Sequence, residues 1–321
     1  MNDLMDALGE WFALLHSQVF ETVVQPLLFA LGMGGWVEFA FTATMWVLLG
    51  LIQFAVILLV IVPLQRWRPV EPVTDRATIR TDMLYTAIHR LGLFRLAMFF
   101  TLTPLLDDLW GGLRVLGWPT WHLDDLWPGV TDVAWVSLLM YLVVFDFADY
   151  WIHRGQHHFN WWWSLHSLHH AQRQMTAWSD NRNHVLDDIL RDVIWVCVGQ
   201  IIGVAPSQFL AIVLITQLSE SLQHANVKLA FGKVGERLWV SPRFHRLHHA
   251  IGLGHESPGR VLGGHNFGVL LPWWDMLWRT ANFELRYEPT GVRDQVEKGR
   301  EYGRGLLSQQ WAGVRRLFGR A

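Results

Sequence analysis

Cysteine is almost missing from this chain: its 321 residues include one, Cys197. No intramolecular disulfide can form, and thiolate metal sites such as four-cysteine zinc are excluded. Cys197 lies inside an apolar run and reads as a small buried hydrophobe. Net charge is also close to missing, at −2 with histidine neutral. With neither a general pull toward polyanions nor a basic groove interleaved with aromatics, nucleic-acid binding is set aside. The first ten residues hold no lysine or arginine, so they do not read as a secretory signal.

Apolar and aromatic residues are abundant instead, at 51% hydrophobic with 20 tryptophans. Phe39 to Leu64 runs 26 residues without a charge, more than the ~20 needed to cross a bilayer core. A second stretch, Thr131 to Ile152, has spanning length with Asp146 and Asp149 near its end. Gly92 to Leu106, which contains Arg95 and Pro104, reads as a further span. Trp11 to Trp36 carries His16, Glu21 and Gln25 and would cross the membrane or lie in its interface. Val193–Val204 and Phe209–Leu218 are each too short to span. A break at Pro206 between them predicts a re-entrant or tilted hairpin that returns His184 and His224 to one face.

Loop charge supplies an orientation. Gln65 to Arg95 holds six arginines, Leu113 to Val130 only Arg114, and the stretch after His224 fifteen lysines and arginines. The positive-inside rule then puts the arginine loop, the histidine-rich region and the tail on the cytoplasmic side. Trp118, Trp121 and Trp127 would mark the opposite interface, and Trp161, Trp162 and Trp163 the cytoplasmic one. The expected architecture is an all-α integral membrane protein of about four transmembrane helices plus the hairpin, capped by a cytoplasmic histidine-rich helical region. Its parts are an N-terminal membrane region (1–130), a histidine-bearing region (131–285) and a polar, basic tail (286–321) ending in a surface helix.

Histidine is the outlier, with 16 residues, 11 of them from His153 to His249. Three boxes stand out: His153-Arg-Gly-Gln-His157, His166-Ser-Leu-His169-His170 and His245-Arg-Leu-His248-His249. Spacings of three and four put side chains on one helical face, about 5–6 Å apart at Cβ. Eight histidines so arranged exceed the four ligands of a tetrahedral zinc site and suit two ions. Spacing alone leaves iron, zinc, copper and nickel open. Asp146 and Asp149 precede His153 by seven and four residues on one face, where a carboxylate can fix the tautomer of a ligating imidazole. His158 points away from its neighbour, and His16, His89 and His122 are isolated. His255 and His265 sit in a glycine-rich loop over 251–266, read as a rim or lid of the site.

Residues 146–280 resemble the fatty acid hydroxylase superfamily, which includes sterol desaturases and alkylglycerol monooxygenase. The matching text is D-F-A-D-Y-W-I-H-R-G-Q-H, W-S-L-H-S-L-H-H, Q-H-A-N, S-P-R-F-H-R-L-H-H, N-F-G and W-W-D. The resemblance implies metal ligands at His153, His157, His166, His169, His170, His224, His245, His248 and His249. His184 is a tenth candidate, although Val185 stands where the family has a proline. Asn226 and Asp275, within Q-H-A-N and W-W-D, join Asp146 and Asp149 as residues expected behind the ligands. The resemblance further implies two iron ions, O2 as co-substrate, an external electron donor (a reductase, ferredoxin or cytochrome-like protein) and a membrane lipid as substrate. Hydroxylation is the leading expectation for the reaction, with desaturation as its variant. A metal transporter would hold its ligands at mid-membrane on broken helices, whereas these lie at helix ends. A zinc hydrolase of the HExxH kind needs a glutamate, and no box contains one.

Overall fold

The computed structural model describes residues 2–251 and 264–320. Among its described residues the regular elements are all helices, with no strand and one isolated bridge, Ala250 to Thr290. The chain divides into two units, residues 1–56 with 87–104, and residues 57–86 with 105–321.

In the first unit, helix α1 (Asn2–Val19) runs through a π turn into Gln25–Ala30. The first part of helix α2 (Gly34–Trp67) follows it. His16 is buried against this partner and donates from Nε2 to the Phe41 carbonyl at 2.8 Å. Gly50 of α2 meets the Arg90 carbonyl so closely that a Cβ there would collide with backbone. After helix α3 (Arg76–Arg90), the apolar run from Gly92 folds as two helices, α4 (Leu93–Thr101) and α5 (Thr103–Val115). A nine-residue helix covers about 14 Å, roughly half a bilayer core. Among the described residues, α2 and helix α6 (Ala134–His158) are long and apolar enough to cross a membrane. Within α2, a π turn over Ile57–Ile61 precedes Pro63, whose missing N–H breaks the regular ladder there.

The second unit holds all of the histidine boxes. Helix α6 carries the first box at its end, and Phe159, in an extended conformation, separates it from helix α7 (Asn160–His170). The predicted hairpin forms as helices α8 (Val185–Ile202) and α9 (Pro206–His224). Gly203 turns the chain in the left-handed region at φ 66°, and Pro206 opens α9 in the first turn, where its lost N–H is not needed. Arg191 of α8 pairs with Glu220 of α9 at 3.1 Å, which sets the two arms antiparallel. Phe145, Trp195 and Phe209 pack together between this hairpin and α6. Helix α10 (Pro242–His248) carries the third box, with the Ser241 hydroxyl accepting from the Phe244 N–H as its N-cap. The short helix α11 (Trp273–Leu277) and the terminal helix α12 (Leu306–Leu317) complete the unit.

Candidate metal centre

The unit's interior is polar where a core is usually apolar. His153, His157, His166 and His170 form one buried group, and His169, His224, His245 and His249 a second. His248 joins the two through His170 and His249. In each group the nearest ring nitrogens all lie within 4.8 Å of one another. In the second group, the Nε2 atoms of His224 and His169, His245 and His224, and His249 and His245 are each 3.1 Å apart. Nitrogens about 2.1 Å from a shared ion stand roughly 3.0 to 3.4 Å apart, between octahedral and tetrahedral angles. The donor set therefore fits metal ions, with a cavity of about 50 Å³ lined by His153, His166, His169, His224 and His245.

Helix geometry explains the convergence. His153 and His157 share a face of α6, while His166, His169 and His170 share one of α7. His224 ends α9, and His245, His248 and His249 end α10. Four helix ends thus meet at one point.

The rings are oriented from outside. The Nδ1 of His153 donates to the Phe267 carbonyl at 2.9 Å, that of His248 to the His265 carbonyl at 2.8 Å, and that of His224 to the Glu220 carbonyl at 2.8 Å. The His166 Nδ1 lies 3.0 Å from the Asp187 carboxylate. A donating Nδ1 leaves Nε2 as the lone-pair nitrogen, facing inward. The Nε2 atoms of His153, His166 and His248 are buried with no hydrogen-bond partner among the described residues. Buried polar atoms are rarely left so, and a metal ion is what these three would satisfy. Burial, then the neighbouring imidazoles, hold His169, His170, His245, His248 and His249 well below the ordinary histidine pKa. The neutral form that this favours is the one that binds metal.

Asp187 was not read from the sequence. Its buried carboxylate accepts from Gln156 and Trp162 at 2.7 Å each, besides meeting His166. Burial alone would raise its pKa, but the His166 contact and these two donors hold it below the usual carboxylate value. Trp162, expected at the membrane interface, is instead buried on this carboxylate, because its indole N–H finds a partner inside. The signal available was an acid pair, Asp187-Asp188, opening a helix just after His184.

His184 is not gathered with the nine. It caps α8: its Nδ1 accepts from the Leu186 N–H at 3.2 Å, and its Nε2 donates to the Gln310 carbonyl at 2.9 Å. Asp146 accepts from the Leu270 and Leu271 N–H groups and the Trp274 indole, at 2.7 to 3.1 Å. Asp275 accepts from the N–H groups of Phe267 and Gly268 and from Thr280; burial pushes its carboxyl up to about 6. These two acids shape the N-F-G turn that offers the Phe267 carbonyl to His153. Gly268 is required there, because a Cβ would press on the Leu271 carbonyl and the Asp275 carboxylate. Asp149 pairs with Arg191 and Trp195, and Asn226 ties down Val70 and Glu71. Among the described residues neither is hydrogen-bonded to any of the nine rings. His265 contributes its backbone carbonyl; His255 and residues 252–263 of the expected rim lie outside the described residues.

The described residues thus combine all-helical architecture, two apolar helices of membrane-spanning length and a buried nine-histidine cluster that could hold metal ions. Residues 138–280 match the fatty acid hydroxylase family model; this chain carries a fatty acid hydroxylase domain. The ornithine lipid hydroxylase OlsE of Rhizobium tropici is 29% identical over 169 residues, 51% of this chain and 47% of that protein. Alkylglycerol monooxygenase of Caenorhabditis elegans is 25% identical over 177 residues, 55% of this chain and 32% of the other. The Delta(7)-sterol 5(6)-desaturase ERG3B of Gibberella zeae is 26% identical over 167 residues, 51% and 48%. Each match spans less than half of the relative's length. No solved structure matches.

Proposed function

We propose that this chain is a membrane-bound oxidoreductase that uses two iron ions and O2 to oxidise a C–H bond of a lipid, with hydroxylation as its main outcome. The observation that carries this reading is the pair of four-histidine groups joined by His248. His153, His157, His166, His170 and His248 would hold one ion, and His169, His224, His245 and His249 the other. The ornithine lipid hydroxylase, alkylglycerol monooxygenase and sterol desaturase among its relatives support a lipid substrate and an oxidative reaction. His184 is left out of the ligand set because both its ring nitrogens are already hydrogen-bonded, Nδ1 to the Leu186 N–H of the α8 cap and Nε2 to the Gln310 carbonyl.

Iron held there would supply what no side chain can, activation of O2 for attack on an unactivated carbon. The protein's own groups set the conditions for it. The carbonyls of Phe267, His265 and Glu220 and the Asp187 carboxylate fix ring orientation and keep proton-bearing nitrogens outside. Close burial excludes bulk water from the small cavity, which protects a reactive centre from side reactions. In this reading α2 and α6 cross the bilayer, shorter apolar helices and the hairpin sit within it, and the centre faces the cytoplasm. Electrons come from a separate reductase, ferredoxin or cytochrome-like donor.

The test is metal analysis of protein purified in mild detergent, alongside comparative lipid mass spectrometry of cells with and without the gene. About two irons per chain and lipids gaining one oxygen or losing two hydrogens are expected. One tightly bound zinc with no redox response, or an unchanged lipid profile under good expression, would sink the proposal.

A further inference from the structure

Helix α12 is built inside out. Gln309, Gly313 and Arg316 are buried, whereas Leu307, Trp311 and Phe318 are 80%, 65% and 70% exposed. At about 100° per residue the three apolar side chains fall within an arc of roughly 40°, and the buried three lie opposite. A helix lying in water on a protein's surface has the reverse pattern.

The inner face is fixed by polar bonds, so the helix cannot roll to hide its apolar row. Gln310 donates to the Tyr85 hydroxyl and the Asn183 carbonyl and accepts from the Val185 N–H. Arg316 donates to the Ser164 carbonyl of α7 at 3.1 Å and lies over the Tyr302 ring. Gly313 lets the His184 ring press against the helix, where a Cβ would collide with it.

We infer that the outer face of α12 is seated on the bilayer surface, with Leu307, Trp311 and Phe318 at the boundary between headgroups and acyl chains. This rests on the reading of the chain as membrane-bound. Charge complementarity points to the occupant: from Arg300 to the end of the chain there are five arginines and one acid, Glu301. Arg304, Arg315 and Arg320 are exposed, where anionic lipid phosphates would meet them. Tryptophan suits that depth, with its ring in the apolar layer and its N–H at the headgroups. Continuity supports it too. α12 packs along α7, which follows directly on the apolar helix α6, and Phe159 and Trp161 at that junction are also exposed. The seated helix would brace α7, and with it His166, His169 and His170, between the membrane and the centre.

Single-cysteine variants of the full chain test this, made in a Cys197→Ser background at Leu307, Trp311 and Phe318. Leu59→Cys, at an exposed position of α2, serves as the bilayer reference. Each is labelled with an environment-sensitive dye and reconstituted into phosphatidylcholine–phosphatidylglycerol vesicles. Metal content of each variant reports folding. Quenching of all three α12 labels by nitroxide-bearing lipids, with shielding from aqueous iodide, is expected. Iodide quenching of the α12 labels while Leu59→Cys stays lipid-quenched overturns the docking alone. Shielding from both quenchers means that a protein surface covers the face, and overturns it equally. Iodide access at Leu59→Cys would overturn the membrane reading itself.

Discussion

At the scale of the residue, four imidazoles of the candidate centre, those of His153, His166, His224 and His248, are divided between an outside partner on Nδ1 and an inward-facing Nε2, and Asp187 shows this best. Its carboxylate is the one acid in contact with a box histidine's Nδ1 among the described residues. Asp187→Asn keeps the shape and removes the charge; iron affinity measured against a competing chelator is expected to fall by about 10–100-fold. Unchanged affinity would mean that Asp187 only ties Gln156 and Trp162 together. By contrast, His184→Ala should leave iron content intact and lower unfolding stability by about 1 kcal/mol, the cost of a lost cap. Loss of iron in that variant would return His184 to the ligand set. Acid should unfold the metal-stripped protein early. The buried histidines stay neutral when folded but take protons near 6.5 when unfolded. Stability is therefore present above pH 6.5 and lost as pH falls below it, by about 1.4 kcal/mol per pH unit for each such histidine. A denaturation midpoint flat from neutrality down to pH 5 would contradict this sign. Eight of the nine rings were legible in sequence because histidine and helical spacing coincide within each box, and His224, which lies in no box, came from the hairpin reading and the resemblance. Asp187 was not, since it meets a histidine 21 positions away and no local pattern encodes that. The Phe267 and His265 carbonyls were invisible for a simpler reason: backbone acceptors belong to every residue type.

Two turns do most of the positioning at the scale of the element. The N-F-G turn holds the Phe267 carbonyl against His153, with Asp146 and Asp275 gathering its N–H groups. Gly268→Ala forces the turn open against the Leu271 carbonyl; a loss of about 1–3 kcal/mol is expected, together with lowered iron content. Wild-type thermal stability and iron content in that variant would show that the turn yields without cost. The other turn, at Gly203, closes the α8–α9 hairpin. Pro206 made that break readable, since a proline that cannot continue a helix can start one. Less readable was the split of the Gly92–Leu106 run at Leu102, because composition registers apolar length but not where a helix changes direction. The tail misled in a similar way. It reads as polar and basic, and it forms a helix, but which side faces inward is decided by Gln310 and Arg316 finding partners on distant segments.

On the scale of the whole molecule, the nine histidines come from four helix ends that meet only in the folded chain. His169→Ala or His248→Ala should abolish metal loading and lipid oxidation while membrane insertion continues, as followed by fractionation and metal analysis. Oxidation retained by either variant would remove that box from the ligand set. Metal should in turn stabilise the fold: chelation is expected to lower the unfolding midpoint, because an ion bound only by the native state adds its binding energy to stability.

The four helix ends also impose an order on biosynthesis. About a hundred residues separate His153 from His249, which at ~5–20 residues per second is several seconds of translation. Late in that interval the group of His153, His157, His166 and His170 is complete, whereas the group that needs His245 and His249, and the joining His248, are not. Completion of the second group is thus a late event in the life of each chain, and a ribosome stalled before His245 leaves behind a protein with one group of four and not the other.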